Sequence, residues 1–429
     1  MIVLSARIAR CGYASGFEVR NISVDLGEGE LLLVTGRSGS GKTTLVRAIT
    51  GTIHVAGGFV EGEVRISNRN IYELEPGELY SLVTYIPQEP WYGIIGHTVY
   101  SEVCQALSLR GIECSEVDFV LFELNKLMNK PVHTLSAGQV QRVLWAEAAL
   151  KKSKLLVLDE PMVYLDKSAR EAARNLVREA LREDLAVVIV DHDPFAWEHL
   201  EPQLLVLENG VAKYNGRWNP AVLEKWEEPA RHTSTARRGV AVSVRDLWFK
   251  YPGEHAYLFR GLSIEFSKGL LTAVVGPNGS GKTTLLKVAS GILKPQRGVV
   301  ERQGKCIYIP ENPLLYFTHP TPREELLAAA GYNESRVLDV AEVFGLTRVL
   351  DTPLARVSTG ERRRISLASA YLAGYDVYFV DEPTGGLDAY SAMRVLEALF
   401  ELASEGKAVV VATHDERVVG YADEVVRLG

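Results

Sequence analysis

Residues 36–44 read GRSGSGKTT and residues 276–284 read GPNGSGKTT, and the 429-residue chain is organised around this repeated stretch. Each copy fits GxxxxGK[ST], follows an apolar run (LLLVT or LTAVV) and precedes a run with helical character (TLVRAI or TLLKVA). A strand, a glycine-rich loop and a helix in this order predict a phosphate-binding loop. Glycine leaves no Cβ in the way of the phosphates, and the helix N-terminus attracts an anion.

The rest of the chain also falls into two similar halves. Four further pairs follow in the same order: YIPQEP (85–90) with YIPENP (308–313), LSAGQVQR (135–142) with VSTGERRR (357–364), LLVLDEP (155–161) with VYFVDEP (377–383), and VDHD (190–193) with ATHD (412–415). The last three pairs are offset by 222 residues, whereas Lys42 and Lys282 are 240 apart. The first half therefore carries extra residues between Lys42 and Gln88, which we interpret as additional edge strands and turns in 52–78.

This duplication predicts the domain organisation and the fold class. Short β-branched runs alternate with helical patterns, which predicts an α/β fold with a mainly parallel sheet and an antiparallel edge sheet in each half. Residues 90–135 and 313–357 lack strand signals and are interpreted as inserted helical subdomains. The polar stretch 227–239 contains proline and glycine without an apolar period, so it predicts a linker between domains at 1–226 and 240–429.

Composition narrows the classes of function. The net charge of −7 argues against a nucleic-acid partner, which would be met by a basic surface. The four cysteines (Cys11, Cys104, Cys114 and Cys306) form no CxxC pair, so we expect reduced thiols in the cytosol and no zinc or iron–sulfur site. No signal peptide is recognisable, and the apolar runs are too short to span a bilayer. A role at a membrane would therefore be that of a peripheral subunit on its cytoplasmic face.

Both glycine-rich loops are predicted to bind ATP through all of their residues. These are Gly36, Arg37, Ser38, Gly39, Ser40, Gly41, Lys42, Thr43 and Thr44 in the first half, and Gly276, Pro277, Asn278, Gly279, Ser280, Gly281, Lys282, Thr283 and Thr284 in the second. The lysines would contact the β- and γ-phosphates, and Thr43 and Thr283 would hold Mg²⁺.

Paired acids close an apolar strand in each half. Asp159 and Asp381 are placed to bind Mg²⁺ through water, and Glu160 and Glu382 to orient or deprotonate the attacking water. An Asp-Glu pair that merely ends a strand is common, but two such pairs downstream of two phosphate loops favour the catalytic interpretation.

The stretch LSAGQVQR resembles the signature motif of ATP-binding-cassette (ABC) proteins, and VSTGERRR is similar to it, with Glu361 where the family usually has glutamine. The resemblance implies that each motif starts a helix that contacts the γ-phosphate bound by the opposite domain, in an intramolecular pseudo-dimer. The residues concerned are Ser136, Ala137, Gly138 and Gln139, and Ser358, Thr359, Gly360 and Glu361.

The same resemblance assigns further roles. His192 and His414, each 33 residues beyond the aspartate of the acid pair, match the switch histidine that contacts the γ-phosphate. Asp166 and Asp388 match the loop that crosses the dimer interface. One composite site would combine Lys42, Gln88, Glu160 and His192 with residues 358–361, and the other Lys282, Glu311, Glu382 and His414 with residues 136–139.

Two positions carry weaker or divergent assignments. Tyr251 matches the aromatic residue that stacks on adenine. Tyr13 is its counterpart in the first half, with a surface or core tyrosine as the alternative. Gln88 matches the glutamine that senses Mg²⁺ and couples to the membrane partner, but the aligned residue in the second half is Glu311. An added carboxylate near the metal predicts two unequal sites.

Within the family, the fused pair and the stretch EPWYGIIGHTVYSEV after Gln88 are similar to energy-coupling-factor and cobalt-type importer ATPases. The resemblance implies import of a vitamin or metal ion, with integral membrane subunits docking near Gln88 and Glu311. The apolar residues there would face the partner or, alternatively, fill the core of the subdomain: Trp91, Tyr92, Ile94 and Ile95, and Leu314, Leu315, Tyr316 and Phe317.

A twin-cassette protein of translation is the alternative, and a DNA-repair ATPase of related fold is a third hypothesis. A twin-cassette protein of translation or ribosome recycling usually has a long charged linker or cysteine-rich iron–sulfur segments, and neither is found here. A DNA-repair ATPase needs a coiled-coil insertion, for which the spacings from Lys42 to Ser136 and from Lys282 to Ser358 leave no room.

Overall fold

Parallel strands of aliphatic residues form the centre of each half of the chain in the computed structural model. The structure describes residues 1–13, 16–37, 39–88, 93–108, 113–114, 124–125, 127–135, 137–151, 153–162, 165, 167–223, 239–254, 256–277 and 279–429. The chain divides into two compact units, Met1–Lys225 and Trp226–Gly429. Of the predicted linker at 227–239, residues 227–238 lie outside the described residues.

A ten-stranded sheet organises the first unit, in the order β5-β4-β1-β2-β10-β9-β3-β8-β7-β6. Its strands are β1 (Ile2–Tyr13), β2 (Glu18–Gly27), β3 (Leu31–Thr35), β4 (Gly58–Ile66), β5 (Arg69–Asn70), β6 (Val83–Ile86), β7 (Leu155–Asp159), β8 (Ala186–Val190), β9 (Gln203–Glu208) and β10 (Val211–Arg217). Strands β6, β7, β8, β3 and β9 are parallel, and β1 pairs antiparallel with β2 and β4. The parallel strands β3, β7 and β8 are buried along their whole length, as expected where helices cover both faces.

The helices of the first unit connect these strands. They are α1 (Lys42–Ile49), α2 (Pro76–Leu82), α3 (Val99–Ser108), α4 (Ala137–Lys151) and α5 (Lys167–Arg182), with 3-10 helices at Ile71–Glu73, Val132–Thr134, Pro194–Leu200 and Pro220–Val222. Helix α3 and the start of α4 pack around a separate apolar cluster that includes Val99, Val103 and Val140. The described part of 93–135 thus agrees with an inserted helical subdomain.

The second unit holds two sheets. An antiparallel sheet has the order β12-β11-β14 and a parallel sheet the order β15-β16-β17-β13-β18. The strands are β11 (Val240–Phe249), β12 (Phe259–Ser267), β13 (Leu271–Val275), β14 (Arg297–Arg302), β15 (Cys306–Ile309), β16 (Val377–Asp381), β17 (Ala408–Ala412) and β18 (Glu424–Arg427). The predicted combination of a parallel sheet with an antiparallel edge sheet is confirmed.

Helices of the second unit cover its parallel sheet and form its subdomain. They are α6 (Lys282–Ser290), α7 (Pro322–Ala329), α8 (Glu334–Val343), α9 (Thr359–Leu372), α10 (Ala389–Ser404) and α11 (Glu416–Tyr421), with 3-10 helices at Pro313–Leu315, Thr347–Val349 and Leu354–Arg356. Residues 313–357 contain α7, α8 and the three 3-10 helices without a strand, as predicted.

The extra segment of the first half is only partly what the sequence predicts. Strands β4 and β5 occupy 58–70, but from Ile71 onward the chain forms a 3-10 helix and then α2 instead of edge strands and turns. The reason is local. The Asn70 side chain accepts a hydrogen bond from the Tyr72 amide, and Pro76 begins a helix whose capping box is formed by Glu75 and Glu78.

Cysteine pairing differs from the expectation of four reduced thiols. Cys104 on α3 is disulfide-bonded to Cys114, and their Cα atoms are 5.0 Å apart, within the range that a disulfide spans. The two cysteines are 10 residues apart in the sequence, a spacing that matches no recognised cysteine motif. Cys11 and Cys306 are free thiols.

Across the part of the chain that the structure describes, we find no helix with both the length and the apolar character needed to cross a membrane.

The two sheets of the second unit meet through aromatic side chains, which generates a stability prediction. The rings of Phe266 and Phe379 are fully buried and pack edge to face with centroids 5.7 Å apart. We expect Phe379→Ala to lower the free energy of unfolding of this unit by about 3–5 kcal/mol, since it removes the ring and leaves a cavity. Urea unfolding would measure this. Val299→Ala on the exposed face of β14 is the control, with a loss below about 0.5 kcal/mol. Equal losses of unfolding free energy in the two variants would show that the Phe379 ring does not stabilise the contact between the sheets.

Candidate functional site

The glycine-rich loops lead directly into helices. Helices α1 and α6 begin at Lys42 and Lys282, after Gly41 (φ 105°) and Gly281 (φ 96°). Both glycines adopt left-handed conformations, which other residues adopt only with strain. A Cβ at Gly281 would also overlap the ring of Phe259. The loop shape therefore depends on glycine at these positions, as the motif predicts.

Each loop lysine folds back over its own loop. Lys42 Nζ donates hydrogen bonds to the carbonyl oxygens of Gly36 and Arg37 at 2.7 and 3.0 Å, and Lys282 Nζ lies 2.8 and 3.2 Å from the equivalent oxygens. Both lysine residues are buried. The ammonium group therefore lies inside the loop that the sequence assigns to phosphate. Ser38 and Asn278 lie outside the described residues.

The strand-ending aspartates are held by hydroxyl groups. Asp381 Oδ2 accepts hydrogen bonds from Thr283 Oγ1 at 2.7 Å and from the Tyr308 hydroxyl at 3.0 Å. In the first unit, the Tyr85 hydroxyl donates to Asp159 Oδ2 at 3.3 Å. Sequence reasoning missed both tyrosines, although each is the first residue of the repeated YIP. Threonine and aspartate oxygens this close are a donor set that suits Mg²⁺.

Burial dominates the electrostatics of these carboxylates. It raises the pKa of Asp159 to about 6 and shifts that of Asp381 upward. The pKa of Glu382 is raised to about 8, first by burial and then by the neighbouring Glu311 and Asp381. Burial and Asp381 also raise the pKa of Glu311. The second unit thus places three carboxylates within electrostatic reach of one another.

Both predicted catalytic glutamates have unusual backbone conformations. Glu160 has a φ of 50° and Glu382 a φ of 43°, in the left-handed region that non-glycine residues rarely adopt. Their amides donate to the carbonyl oxygens of Val190 and Ala412, both at 2.8 Å, which fixes this conformation. Strain of about 1–3 kcal/mol at such a position is typical of functional sites.

The glutamate side chains have different neighbours in the two units. Gln88 Nε2 donates to Glu160 Oε2 at 2.6 Å, so the predicted sensor and the predicted base are in contact. In the second unit, Glu382 Oε2 accepts from Thr413 Oγ1 and from the His414 amide, both at 3.3 Å. In the first unit, Gln88 donates a hydrogen bond to Glu160. In the second unit, the aligned residue Glu311 instead adds a negative charge near Glu382.

The two histidines lie beside these glutamates. His192 Nδ1 is 3.9 Å from Glu160 Oε2, and His414 Nε2 is 3.7 Å from Glu382 Oε1. Glutamate and histidine are therefore neighbours in each unit.

Asp191 is a neighbour of His192 that sequence reasoning missed. Its Oδ1 lies 3.6 Å from His192 Nδ1, and its Oδ2 accepts a hydrogen bond from the buried Trp197 indole at 2.9 Å. Burial and the nearby Asp193 raise the pKa of Asp191 to about 7. The second unit has Thr413 at this position. The signal was present in the VDHD and ATHD pair, in which the residue before histidine differs.

The second signature motif forms a capped helix start. Ser358 Oγ accepts from the Glu361 amide, and the Glu361 carboxylate accepts from the Ser358 amide at 3.1 Å, so Glu361 completes a capping box. In the first unit α4 begins at Ala137, while Ser136 lies outside the described residues. Asp388 caps α10, accepting from the Ser391 amide at 2.7 Å; Asp166 is not described.

The two predicted adenine-stacking tyrosines differ in environment. Tyr251 is 40% exposed, and its hydroxyl lies 3.0 Å from Thr284 Oγ1. The Tyr13 hydroxyl accepts from Arg47 at 2.9 Å, and its ring packs against the core. Phe17, 39% exposed, approaches Gly41 and was missed because it lies outside any motif. It is a second candidate for nucleotide contact in the first unit.

The apolar residues after Gln88 and Glu311 divide into two groups. Ile95 and Leu315 are each 77% exposed, and Leu314 is 44% exposed. The others that the structure describes pack against the cores: Ile94, Tyr316 and Phe317. Trp91 and Tyr92 lie outside the described residues. The packed residues therefore agree with the core interpretation, whereas a partner contact of the exposed residues stays a prediction.

The sequence profile of the ABC transporter family matches residues 19–163 and 259–385, one copy in each unit. The chain belongs to the ABC transporter ATPase family. It is therefore an ATPase with two tandem cassettes, because members of the family bind and hydrolyse ATP.

Relatives of this ABC ATPase match nearly its whole length. A provisionally named ABC transporter ATP-binding protein of Methanosarcina mazei is 30% identical over 97% of the chain and 91% of its own length. A provisionally named HMP/thiamine import ATP-binding protein, YkoD of Bacillus subtilis, is 28% identical over 95% of the chain and 86% of its own length. The resemblance to ABC proteins inferred from the motifs is confirmed, whereas its energy-coupling-factor detail stays a prediction.

Solved structures with the same tandem arrangement resemble the ABC ATPase in fold. The RNase-L Inhibitor has a TM-score of 0.67 at 21% identity, covering 98% of this chain and 87% of that one. The archaeal ribosome recycling factor aABCE1, in a complex with ribosomal stalk protein aP1, has a TM-score of 0.66 with the same identity and coverage. At this identity the similarity concerns the fold alone.

The hydroxyl group of Tyr308 generates a prediction for the second cassette. Tyr308→Phe removes one of the two hydroxyl donors that hold Asp381, so we expect the ATP turnover number to fall about 3- to 10-fold. Steady-state ATPase assays measure this. Tyr316→Phe is the matched control, since its hydroxyl faces Ser369 instead. Equal rates for the wild type and Tyr308→Phe would show that this hydrogen bond does not matter for turnover.

Proposed function

We propose that this ATPase is the energising subunit of a membrane ABC transporter, of the energy-coupling-factor type that imports a vitamin or metal ion. The observation that carries the proposal is the similarity, over more than nine-tenths of the chain, to relatives provisionally named as ABC transporter ATP-binding proteins. One of these relatives is named for HMP/thiamine import, which supports a vitamin as the cargo.

Exposed apolar side chains support a membrane partner near the predicted sites. Leu315 belongs to the 3-10 helix Pro313–Leu315, which begins two residues after Glu311, and Ile95 follows Gln88 in the first unit. Both side chains are largely exposed although they are aliphatic. Such residues beside a polar site fit the contact surface of another subunit. We assign this surface to an integral membrane subunit on the cytoplasmic side.

A cytoplasmic role in ribosome recycling is the second candidate. It draws on the fold similarity to RNase-L Inhibitor and aABCE1, which at 21% identity carries no information on partners. The transporter proposal is favoured because its supporting relatives are more similar in sequence and are named for transport.

We assign the chemistry to the residues of the repeated motifs. Lys42 and Lys282 would hold the β- and γ-phosphates, and the histidines would contact the γ-phosphate. Two oxygen-rich groups would hold Mg²⁺, which neutralises phosphate charge when bound: Thr43, Asp159 and Gln88 in the first cassette, and Thr283, Asp381 and Glu311 in the second. By family resemblance, each signature helix start serves the nucleotide held by the other cassette.

The glutamates after the aspartates would act on the attacking water. Burial, with the neighbouring Glu311 and Asp381, raises the pKa of Glu382 to about 8, so its ionised carboxylate is a stronger base than that of an ordinary glutamate. Its left-handed backbone and the hydrogen bonds from Thr413 and His414 hold the carboxylate in one orientation. Glu160 is oriented in the same way by Gln88.

The paired substitution Glu160→Gln and Glu382→Gln tests these two roles. Glutamine keeps the size of the side chain but cannot accept the proton, so we expect the ATP turnover number to fall at least about 100-fold while ATP still binds. Phosphate-release assays and nucleotide retention on the purified chain would measure the two effects. Glu405→Gln is the control, because Glu405 lies outside the repeated motifs and accepts a hydrogen bond from the Tyr371 hydroxyl. Unchanged ATP turnover in the double variant would show that Glu160 and Glu382 do not act on the attacking water.

Purification from native membranes tests the transport proposal. A tagged chain should co-purify with integral membrane proteins, and Leu315→Glu combined with Ile95→Glu should abolish this because charges would enter an apolar contact. Val343→Glu, at a 60% exposed site on α8, is the matched control and should keep the partner. Recovery with ribosomes instead, and absence from membranes, would favour the second candidate and overturn the proposal.

A further inference from the structure

A buried glutamate recurs in both halves at the same distance from the predicted sensor position. Glu102 follows Gln88 by 14 residues, and Glu325 follows Glu311 by the same number. Glu102 is only 4% exposed and Glu325 only 7% exposed. None of the nucleotide-binding motifs includes either residue. Because a buried carboxylate is costly unless it is hydrogen-bonded, the partners of these two side chains indicate what they do.

In the first unit, the carboxylate of Glu102 accepts hydrogen bonds from the loop before its own helix. Its Oε2 atom accepts from the amide of Ile95 at 2.9 Å and from the amide of Gly96. The loop lies directly against the helix at this point, since a Cβ at Gly96 would be 2.7 Å from the Cα of Glu102. The glutamate therefore fixes the backbone of the loop to the start of α3.

The second unit repeats this arrangement with different loop residues. Oε2 of Glu325 accepts from the amides of Thr318 and His319 at 2.9 and 3.0 Å. The Thr318 hydroxyl and Nδ1 of His319 lie 3.3 and 3.1 Å from the same oxygen. In both units the two amide donors are six and seven residues before the glutamate. The backbone contact is thus kept although the side chains of the loops differ.

These hydrogen bonds hold the loops and are not needed to cap the helices. A threonine caps each helix start already: the Ser101 amide donates to Thr98 Oγ1 at 3.2 Å, and the Glu324 amide to Thr321 Oγ1 at 3.4 Å. A capping-box glutamate would occupy the third helical position, whereas Glu102 and Glu325 occupy the fourth and accept from amides that precede the cap.

The loops held in this way carry the exposed aliphatic residues. Ile95, whose amide donates to Glu102, is 77% exposed, and Leu315, three residues before Thr318, is exposed to the same extent. Helix α3 packs against α4, and α7 packs against α9, so each glutamate lies on a helix that contacts the signature helix of its unit. The hydrogen bonds therefore connect the exposed segment to the helical subdomain.

We propose that Glu102 and Glu325 are positioning residues that hold the exposed apolar segments after Gln88 and Glu311 in place for a membrane subunit. This role rests on the proposed function, because the partner is the integral membrane subunit assigned there. A segment that is already ordered loses less conformational entropy when it binds, so holding the loop favours docking. The hydrogen bonds themselves can be tested on the purified chain, without a partner.

Amide hydrogen exchange on the purified full chain tests the hydrogen bonds. We expect Glu102→Ala and Glu325→Ala each to speed exchange of the two loop amides about tenfold or more, since bonds to a charged acceptor are lost. Glu102→Gln and Glu325→Gln keep an acceptor oxygen and should show a smaller rise. These glutamine variants also give the same comparison if the alanine variants fail to fold, which thermal unfolding would reveal.

Glu324→Ala is the matched control. Glu324 is the exposed neighbour of Glu325 on the same turn of α7, and its carboxylate accepts from the Thr321 hydroxyl at 3.1 Å, not from a loop amide. Exchange of the loop amides should therefore stay at the wild-type rate in this variant.

Recovery of membrane proteins tests the docking role. From native membranes, we expect the double variant Glu102→Ala and Glu325→Ala to recover integral membrane protein at least about fivefold less well than the wild type, at equal amounts of folded chain. The double glutamine variant should retain more of the partner, and Glu324→Ala should recover as much as the wild type. A glutamate with only a structural role would alter exchange without changing this recovery.

Each outcome decides a separate point. If exchange of the loop amides does not rise in the alanine or glutamine variants, the carboxylates do not hold the loops and the proposal is overturned. If exchange rises but membrane recovery is unchanged, the glutamates are structural only and the docking role is wrong. If the wild type itself recovers no membrane protein, the proposed function fails together with the docking role, whereas the exchange rates still decide whether the carboxylates hold the loops.

Discussion

Register between neighbouring parallel strands brings the chemistry of each unit to one edge of its sheet. In the first unit, Val190 on β8 pairs with both Val34 on β3 and Asp159 on β7. In the second, Ala412 on β17 pairs with Val274 and Asp381. The paired acids begin on this line, and the phosphate loop and the histidine follow just past it. Because parallel strands end at a common edge, segments far apart in the chain meet there.

Burial at this edge sets the properties of the site. The aspartates that end β7 and β16 are held in apolar surroundings, so their charge depends on hydroxyl donors and on nearby cations. The glutamates that follow adopt a left-handed backbone, which the amide hydrogen bonds to β8 and β17 maintain. Packing at this edge therefore stabilises the fold, removes water from the aspartates and holds the glutamates in a strained backbone conformation.

The two cassettes differ in the polar and charged residues around the glutamate and the histidine. In the first cassette, Gln88 donates a hydrogen bond to Glu160, and an additional carboxylate, Asp191, lies beside His192. The second has Thr413 before its histidine, and it adds Glu311 within electrostatic reach of Glu382. An ATPase with two cassettes of this kind can assign different tasks to its two sites, which a symmetric pair cannot do.

The repeated motifs determined the family, the α/β fold with two cassettes, and the positions of the lysines, acids and histidines, because these depend on residue type and spacing along the chain. The structure was needed for features that depend on three-dimensional contacts: the tyrosine donors to the aspartates, Asp191 beside His192, and the buried glutamates that hold the loops before α3 and α7. It was also needed for α2 in place of edge strands and for the bond between Cys104 and Cys114. Local patterns report what a segment favours on its own. Which side chains meet, and how strongly burial shifts their charge, is decided only when the strands and helices pack together.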